Sequence, residues 1–190
     1  VRGGFSDRVY AGDLKGNLWR VSYSGNTLTS ARIFQARAGN ADQPITATPL
    51  VARRPNTDET WVFFGTGQYL SASDLSNKQV QSWYGIKDAG TEVSRGDLRE
   101  ISILAEGEIS GTPVRGIERY AGIGGEPGWF MDLVSPVNGE EGERMVVANR
   151  FRGFALIGTT RIPDSNDLCS PSGKGFVMAI DPFSGGRLPG

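Results

Sequence analysis

The sequence contains no histidine and only one cysteine, Cys169. The absence of histidine excludes Ser-His-Asp and Cys-His catalytic groups within the chain, as well as His-ligated zinc and iron sites. Acid–base catalysis would then depend on carboxylates, lysine or tyrosine, and none of the 21 acidic residues forms a recognisable catalytic pair. We therefore expect no enzymatic activity. Cys169 either pairs with a cysteine of a longer parent protein or stays a free thiol.

The chain also lacks an excess of charge and any long hydrophobic run. Its 20 basic and 21 acidic residues leave a net charge of −1, and without a basic run we expect no nucleic-acid partner. No apolar stretch approaches the about 20 residues of a transmembrane helix, and no secretory signal is recognisable. We expect any membrane anchor or export signal to lie outside these residues.

Residues 8–21, RVYAGDLKGNLWRV, have the pattern of one hairpin of a β-propeller blade. Two short apolar strands flank a turn in which glycine tolerates left-handed geometry, and Asp13 and Asn17 can accept hydrogen bonds from nearby backbone N–H groups. We expect Trp19, on the second strand, to pack between neighbouring sheets.

Similar but weaker hairpin patterns follow along the chain. The 27 glycines and 10 prolines interrupt the sequence too often for long helices. The pattern predicts an all-β protein, a β-propeller of quinoprotein-like four-stranded blades, with a β-sandwich as the alternative. Only residues 73–80 and 97–104 are weakly helical in pattern. Blade-like hairpins are expected near residues 8–22, 59–88, 128–160 and 175–188, and loop insertions at 71–81 and 88–128.

A blade takes about 40–45 residues, so the chain holds about four blades, the minimum for closure. The sequence begins at Val1 without a methionine. We therefore expect residues 1–190 to form a single propeller domain or a segment of a longer propeller.

Three motifs are candidates for binding. Residues 122–128 have the glycines of a phosphate-binding loop, but a strand-like segment follows them instead of a helix, so we interpret them as an ordinary loop. Arg95, Gly96 and Asp97 form the tripeptide that integrins bind and lie in a polar, loop-like stretch, which makes them a candidate partner-binding site. Residues 164–167, DSND, offer oxygen ligands for calcium but lack the glycine of a calcium loop, and a capped turn after Pro163 is favoured.

Several ordered blocks of the chain resemble the C-terminal β-propeller of the PilC/PilY family. The blocks are residues 7–20, 44–49, 64–70, 81–86, 128–133, the expected strand 143–147, and 180–188. The resemblance implies a non-enzymatic factor of type IV pili, exported to the cell surface or pilus tip, the outer membrane or the periplasm. It implies roles in pilus assembly, opposition to retraction, adhesion, twitching motility and surface sensing.

The resemblance also implies a candidate calcium ligand and candidate partner-binding surfaces. Some family members carry a calcium loop that runs directly into the block beginning at Asp7. Asp7 is thus a candidate last ligand of a calcium loop, although residues 1–6 supply no earlier carboxylate. The polar insertions 71–81 and 88–128 are candidate surfaces for minor pilins or other pilus components, with a host cell or an abiotic surface as further partners; tolerated insertions are the alternative.

Two functions of other classes also use propellers. A dehydrogenase with a quinone cofactor such as pyrroloquinoline quinone would need a calcium site and a catalytic aspartate, and neither can be assigned here. A carbohydrate-binding propeller would use exposed tryptophans to stack on sugars.

Overall fold

The computed structural model describes residues 7–120, 122, 124–163 and 174–188, and this part of the chain contains fifteen β-strands and two short 3-10 helices. The strands are β1 (Arg8–Gly12), β2 (Asn17–Ser24), β3 (Thr27–Gln35), β4 (Arg37–Ala38), β5 (Ala41–Asp42), β6 (Leu50–Arg53), β7 (Thr60–Gly65), β8 (Ser82–Lys87), β9 (Arg99–Glu100), β10 (Ile103–Ile109), β11 (Thr112–Ile117), β12 (Gly128–Asp132), β13 (Arg150–Arg152), β14 (Ala155–Thr159) and β15 (Val177–Ile180). The 3-10 helices are Ala72–Leu75 and Arg95–Asp97. The prediction of an all-β chain is confirmed.

Three sheets carry most of the described chain. The first sheet has the order β1-β2-β3, the central sheet β6-β7-β8-β12-β9, and the third sheet β13-β14-β15. Neighbouring strands pair antiparallel except β9, which lies parallel to β12. Successive antiparallel meanders of three or four strands are the pattern of propeller blades.

The weakly helical pattern of residues 97–104 is a wrong prediction. Leu98 and Ile101 are buried, and the Ile101 backbone N–H donates to the Phe130 carbonyl at 2.8 Å, so this segment follows the edge of the central sheet. Pairing with β12 and burial of apolar side chains therefore override local helix propensity. In residues 73–80 the helical structure is confined to the single turn Ala72–Leu75.

The insertion 88–128 is more ordered than the loop that was expected. It contains β9 and a hairpin of β10 and β11, joined by Ser110 and Gly111 at φ angles of 51° and 77°. Two consecutive left-handed residues match the right-handed twist of a two-stranded hairpin. The two strands of this hairpin are polar and largely exposed, so they lack the apolar pattern by which strands are predicted from a sequence.

Residues 128–160 also differ from the expected hairpin. The segment is divided between two sheets, because β12 pairs with β8 in the central sheet whereas β13 and β14 begin the third sheet. The expected strand at 143–147 is absent from the described structure; Arg144 makes only an isolated bridge with Arg161.

The central sheet is buried on both faces. On β7, Val62 and Phe64 face the first sheet, whereas Trp61 and Phe63 face the third. This alternation follows the two-residue period of a strand and produces two separate apolar clusters. The cluster toward the first sheet contains Tyr10, Leu18, Ile33, Phe34, Ala36, Ile45, Val62, Phe64, Tyr84, Ile86, Val93, Leu98 and Phe130. The cluster toward the third sheet contains Trp61, Phe63, Trp83, Ile101, Ile117, Trp129, Met131, Leu133, Met145, Leu156, Met178 and Ile180.

Trp19 does not pack between sheets, contrary to expectation. It is half-buried, lies outside both clusters, and donates from Nε1 to Asp13 Oδ2 at 3.0 Å. The reason is strand alternation: Leu18 occupies the inward face of β2, so the next side chain points to the opposite face. The tryptophans that do lie between sheets are Trp61, Trp83 and Trp129, each with at most 1% of its surface exposed.

Glycines allow these large side chains to fit. A Cβ atom on Gly85 would lie 2.4 Å from Trp129 Nε1, and one on Gly158 would lie 2.7 Å from Trp83 Cη2. Contacts this short do not occur between real atoms, and a buried indole ring has no room to shift. The sheets therefore approach as closely as they do because these positions have no side chain.

We expect Gly85→Ala to lower the free energy of unfolding by about 1–3 kcal/mol, since the added methyl group overpacks the core against Trp129. Gly107→Ala is the matched control, because a Cβ there meets nothing within 4 Å and should change stability by at most about 0.5 kcal/mol. Urea denaturation of the chain measures both. Equal stability of the two variants would contradict the packing argument.

Candidate functional site

The structure places the tripeptide Arg95–Asp97 in a 3-10 helix, with its arginine engaged inside the protein. The Arg95 guanidinium donates to both carboxylate oxygens of Asp132 at 2.7 and 2.8 Å and lies 3.8 Å from the centroid of the Phe130 ring. It also hydrogen-bonds to the Tyr84 hydroxyl, whose pKa is raised to about 12, chiefly by burial. A partner that bound the Arg95 side chain would have to break these contacts. Integrin binding by Arg95, Gly96 and Asp97 stays a prediction.

The candidate calcium ligand, Asp7, is exposed, and its backbone carbonyl accepts a hydrogen bond from the Tyr23 N–H at 2.9 Å. Among the described residues no group of three or more Asp, Glu, Cys or His side chains is arranged to hold a metal ion. The acidic run 164–167 and Cys169 lie outside the described residues. Calcium binding through Asp7 stays a prediction.

The polar insertion 71–81 is held to the rest of the protein by Arg144. This side chain is buried, and its guanidinium donates to four backbone carbonyls, those of Gln68, Asp74, Asn77 and Gly142, at distances of 2.6–2.9 Å. Burial lowers the Arg144 pKa, although the charge of Asp74 opposes that effect. One arginine thus satisfies carbonyl groups that have no strand partner and fixes the path of the segment.

The Asp74 carboxylate also holds this segment in place. Its carboxylate accepts hydrogen bonds from Gln68 Nε2 at 2.8 Å and from the backbone N–H groups of Leu70 and Ser71 at 2.9 Å. The hydrogen bond from Gln68 and those from the backbone lower the pKa of Asp74 to about 2. The ionised carboxylate therefore stabilises the fold of residues 68–77.

A groove of about 660 Å³ lies on the surface, and we name it the arginine–aromatic groove. Four segments line it: residues 52–55 at the end of β6; residues 119, 120 and 122 after β11; residues 151, 153 and 154 at the β13–β14 turn; and residues 181–184 and 187 after β15. Sequence reasoning missed this site, because its members are distant in the chain. The local signals were two arginines before Pro55 and two phenylalanines flanking an Arg-Gly turn.

Aromatic side chains form the floor and one wall of the groove. The Phe183 ring packs edge-on against Trp61 at 5.7 Å between centroids, and Phe151 packs edge-on against Phe63 at 5.8 Å. Both contacts connect the groove to the cluster between the central and third sheets. Phe154, at the turn, leaves 93% of its surface exposed.

Four arginines and one carboxylate supply the charge of the groove: Arg53, Arg54, Arg119, Arg187 and Asp181. One oxygen of this carboxylate is engaged locally, since Asp181 Oδ1 accepts from the backbone N–H groups of Phe183 and Ser184 at 2.9 and 2.8 Å. Cations in excess beside exposed aromatic rings suit an anionic ligand that also carries apolar groups.

The antiparallel meanders and their stacking through buried aromatic side chains define a β-propeller protein. A family profile described as "PilY1 beta-propeller domain" matches residues 2–100, just over half of the chain. The chain therefore belongs to the PilY1 β-propeller family. The expected PilC/PilY resemblance and the propeller fold are confirmed, whereas the quinoprotein-like form of the blades stays a prediction.

Individual relatives agree with this assignment. A type IV pilus biogenesis factor PilY1 homolog of Xylella fastidiosa is 54% identical over 97% of the chain, which covers 15% of that protein. The type IV pilus biogenesis factor PilY1 of Pseudomonas aeruginosa is 26% identical over 97% of the chain, which covers 20% of it. The crystal structure of the Pseudomonas aeruginosa PilY1 C-terminal domain matches 97% of the chain with a TM-score of 0.79 at 25% identity, and the chain spans 46% of it.

The comparisons cover only part of each relative, and the chain spans 14–20% of the length of the type IV pilus factors just described and of a second Xylella homolog. None of the described helices has the length and hydropathy to cross a membrane. Three of the four tryptophans, Trp61, Trp83 and Trp129, are buried and hence not available to stack on sugars.

We expect Asp74→Asn to lower the free energy of unfolding by about 1–3 kcal/mol at pH 7, because an amide cannot accept all the hydrogen bonds that the carboxylate accepts. The folded-state pKa of about 2 lies below the ordinary value of 3.8. The stabilisation is thus complete above about pH 4 and lost as the pH falls toward 2, so the difference from the unmodified chain should narrow over that interval.

Urea denaturation between pH 2 and pH 7 measures this difference. Asp58→Asn is the control, since the Asp58 side chain is fully exposed, and its difference from the unmodified chain should stay near zero throughout. A difference for Asp74→Asn that does not change with pH would refute the role given to the ionised carboxylate.

Proposed function

We propose that the chain is a non-enzymatic propeller segment of a type IV pilus biogenesis factor. The observation that carries the proposal is the 54% identity, over 97% of the chain, to a protein named as such a factor. The match to the PilY1 C-terminal domain, at a TM-score of 0.79, supports the same assignment.

The structure supports a role as a rigid scaffold for protein contacts. The central sheet is buried on both faces, so the blades have little freedom to shift. Segments at the sheet ends are nevertheless positioned firmly: Arg144 fixes residues 68–77, and the turn after β15 is anchored by Trp129 Nε1, which donates to the Pro182 carbonyl at 2.7 Å. A scaffold of this kind presents preformed surfaces and needs no catalytic group.

The proposal also covers the partners of the protein and its location in the cell. We assign the partners to pilus components, with minor pilins first among them, and the location to the exported side of the cell, at its surface or the pilus tip. Adhesion, twitching motility and calcium binding in the parent protein belong to the same proposal. Membership of the PilY1 β-propeller family supports this part of the proposal.

An in-frame deletion of residues 1–190 from the parent protein should abolish or strongly reduce surface pili, because the segment that contacts other pilus components is lost. Counts of pili by electron microscopy and the diameter of twitching zones measure the effect. Immunoblots of the surface fraction must show that the truncated protein is still exported, and re-expression of the full protein should restore both readouts. Normal piliation with normal export would refute the proposal.

A further inference from the structure

We propose that the arginine–aromatic groove binds an acidic, extended segment of a protein partner, with carboxylates on its arginines and an apolar side chain against its phenylalanines. This assignment goes beyond the proposed function and rests on it only for the expectation that the occupant is a protein.

The charge of the groove is the first argument. Arg119 and Arg187 make no side-chain hydrogen bond or ion pair within the part of the chain that the structure describes. Among the described residues Arg53 pairs only with Asp58, at 3.9 Å between two largely exposed side chains, and such a pair contributes little. Asp181 is the one carboxylate among the lining residues against four arginines, so the groove has a surplus of positive charge that its own lining does not neutralise.

The fourth arginine is partly engaged. Arg54 donates to Glu59 at 3.2 Å, and its guanidinium carbon lies 6.0 Å from the centroid of the Phe183 ring. Glu59 also pairs with Lys87 at 3.3 Å. Because one carboxylate then faces two cations, the Arg54–Glu59 pair does not cancel the surplus of positive charge in the groove. Arginine forms paired hydrogen bonds with carboxylates, which makes an aspartate or glutamate side chain the matching ligand group.

The aromatic groups are the second argument. Phe154 is 93% exposed, and Phe151 beside it is 37% exposed, although both have apolar neighbours within the groove. Phenylalanines exposed next to unpaired arginines have the composition of the centre of a protein interface. A flat anionic surface would meet the arginines but leave the concave aromatic floor unfilled.

The size and rigidity of the groove are the third argument. About 660 Å³ is in the range that holds a drug-sized ligand, so a short peptide segment fits and a folded domain does not. Backbone hydrogen bonds hold the segments that line the groove in place. The Arg187 N–H donates to the Glu118 carbonyl at 2.9 Å, and the Gly185 N–H donates to the Asp181 carbonyl at 2.9 Å. A preformed groove orders a peptide without first having to order itself.

A photo-crosslinking experiment tests the assignment in cells that make the full-length parent protein. p-Benzoylphenylalanine is placed at position 154, and at position 28 as the control, since Leu28 is 69% exposed but lies outside the groove. After irradiation, the crosslinked segment is identified by mass spectrometry. We expect position 154 to capture a peptide segment rich in Asp and Glu, with a yield at least tenfold above that at position 28.

A pair of charge variants tests the role of the arginines. Arg119→Glu with Arg187→Glu should reduce the crosslink at position 154 at least tenfold. Lys15→Glu with Lys174→Glu makes the same change in net charge at exposed positions outside the groove and outside the two insertions, and it should leave the crosslink unchanged. Because all four side chains are exposed, equal export of both variants is expected, and equal thermal midpoints confirm that both fold. A synthetic peptide with the captured sequence should show the same tenfold loss of affinity in fluorescence anisotropy.

The proposal is overturned by capture of a neutral or basic segment, of a lipid or of an acidic glycan. It is equally overturned by a crosslink that survives the arginine variants, or by no crosslink above the yield at position 28. These results are separable from the proposed function, because loss of pili on deletion combined with an empty groove would remove the inference alone.

Discussion

The close approach of the sheets depends on Trp129, which lies between the backbones of two glycines. A Cβ atom on Gly85 would lie 2.4 Å from its ring, and one on Gly185 would lie 2.5 Å from it. Gly85 belongs to the neighbouring strand of the central sheet, and Gly185 to the turn after the third sheet. The indole N–H meets the carbonyl of Pro182 in that same turn. One side chain therefore fixes the central sheet against the third sheet and also sets the position of the groove wall.

The buried Arg115 side chain is held by carboxylates on two sides. Arg115 contacts Glu106 and Glu143 at 2.5 Å and lies 3.7 Å from the Phe176 ring centroid, with 2% of its side chain exposed. Breaking such a cluster would leave an uncompensated buried charge. Three arginines of the groove, Arg53, Arg119 and Arg187, are arranged in the opposite way, since they are exposed and make at most one weak ion pair among the described residues. The fold does not depend on these three side chains. This contrast separates side chains that hold the structure together from those that are available to a partner.

Local patterns in the sequence identified the fold class and the first hairpin. The turn chemistry was correct for Asp13, which accepts from the backbone N–H groups of Lys15 and Asn17 at 2.8 and 2.9 Å. The Asn17 side chain instead donates to Asp13 at 2.8 Å and accepts from Arg32 at 3.3 Å. Hydrogen bonds from Trp19 and Asn17 outweigh burial and lower the pKa of Asp13 to about 2. Features that depend on distant pairing could not be predicted: strand β9 along β12, the division of residues 128–160 between sheets, and a groove assembled from four segments.

The insertion between β8 and β12 has a consequence for the order in which the chain can fold. Forty residues, 88–127, separate two strands that are hydrogen-bonded neighbours in the central sheet. During synthesis from the N-terminus, β6, β7 and β8 can pair as soon as all three have been made. The edge of β8 that pairs with β12 stays open until residue 132 is available. Closing a long loop costs entropy before its contacts form, so this pairing is a late and slow step. Until it occurs, β8 is an exposed strand edge, the part of the folding chain most prone to pairing with another molecule.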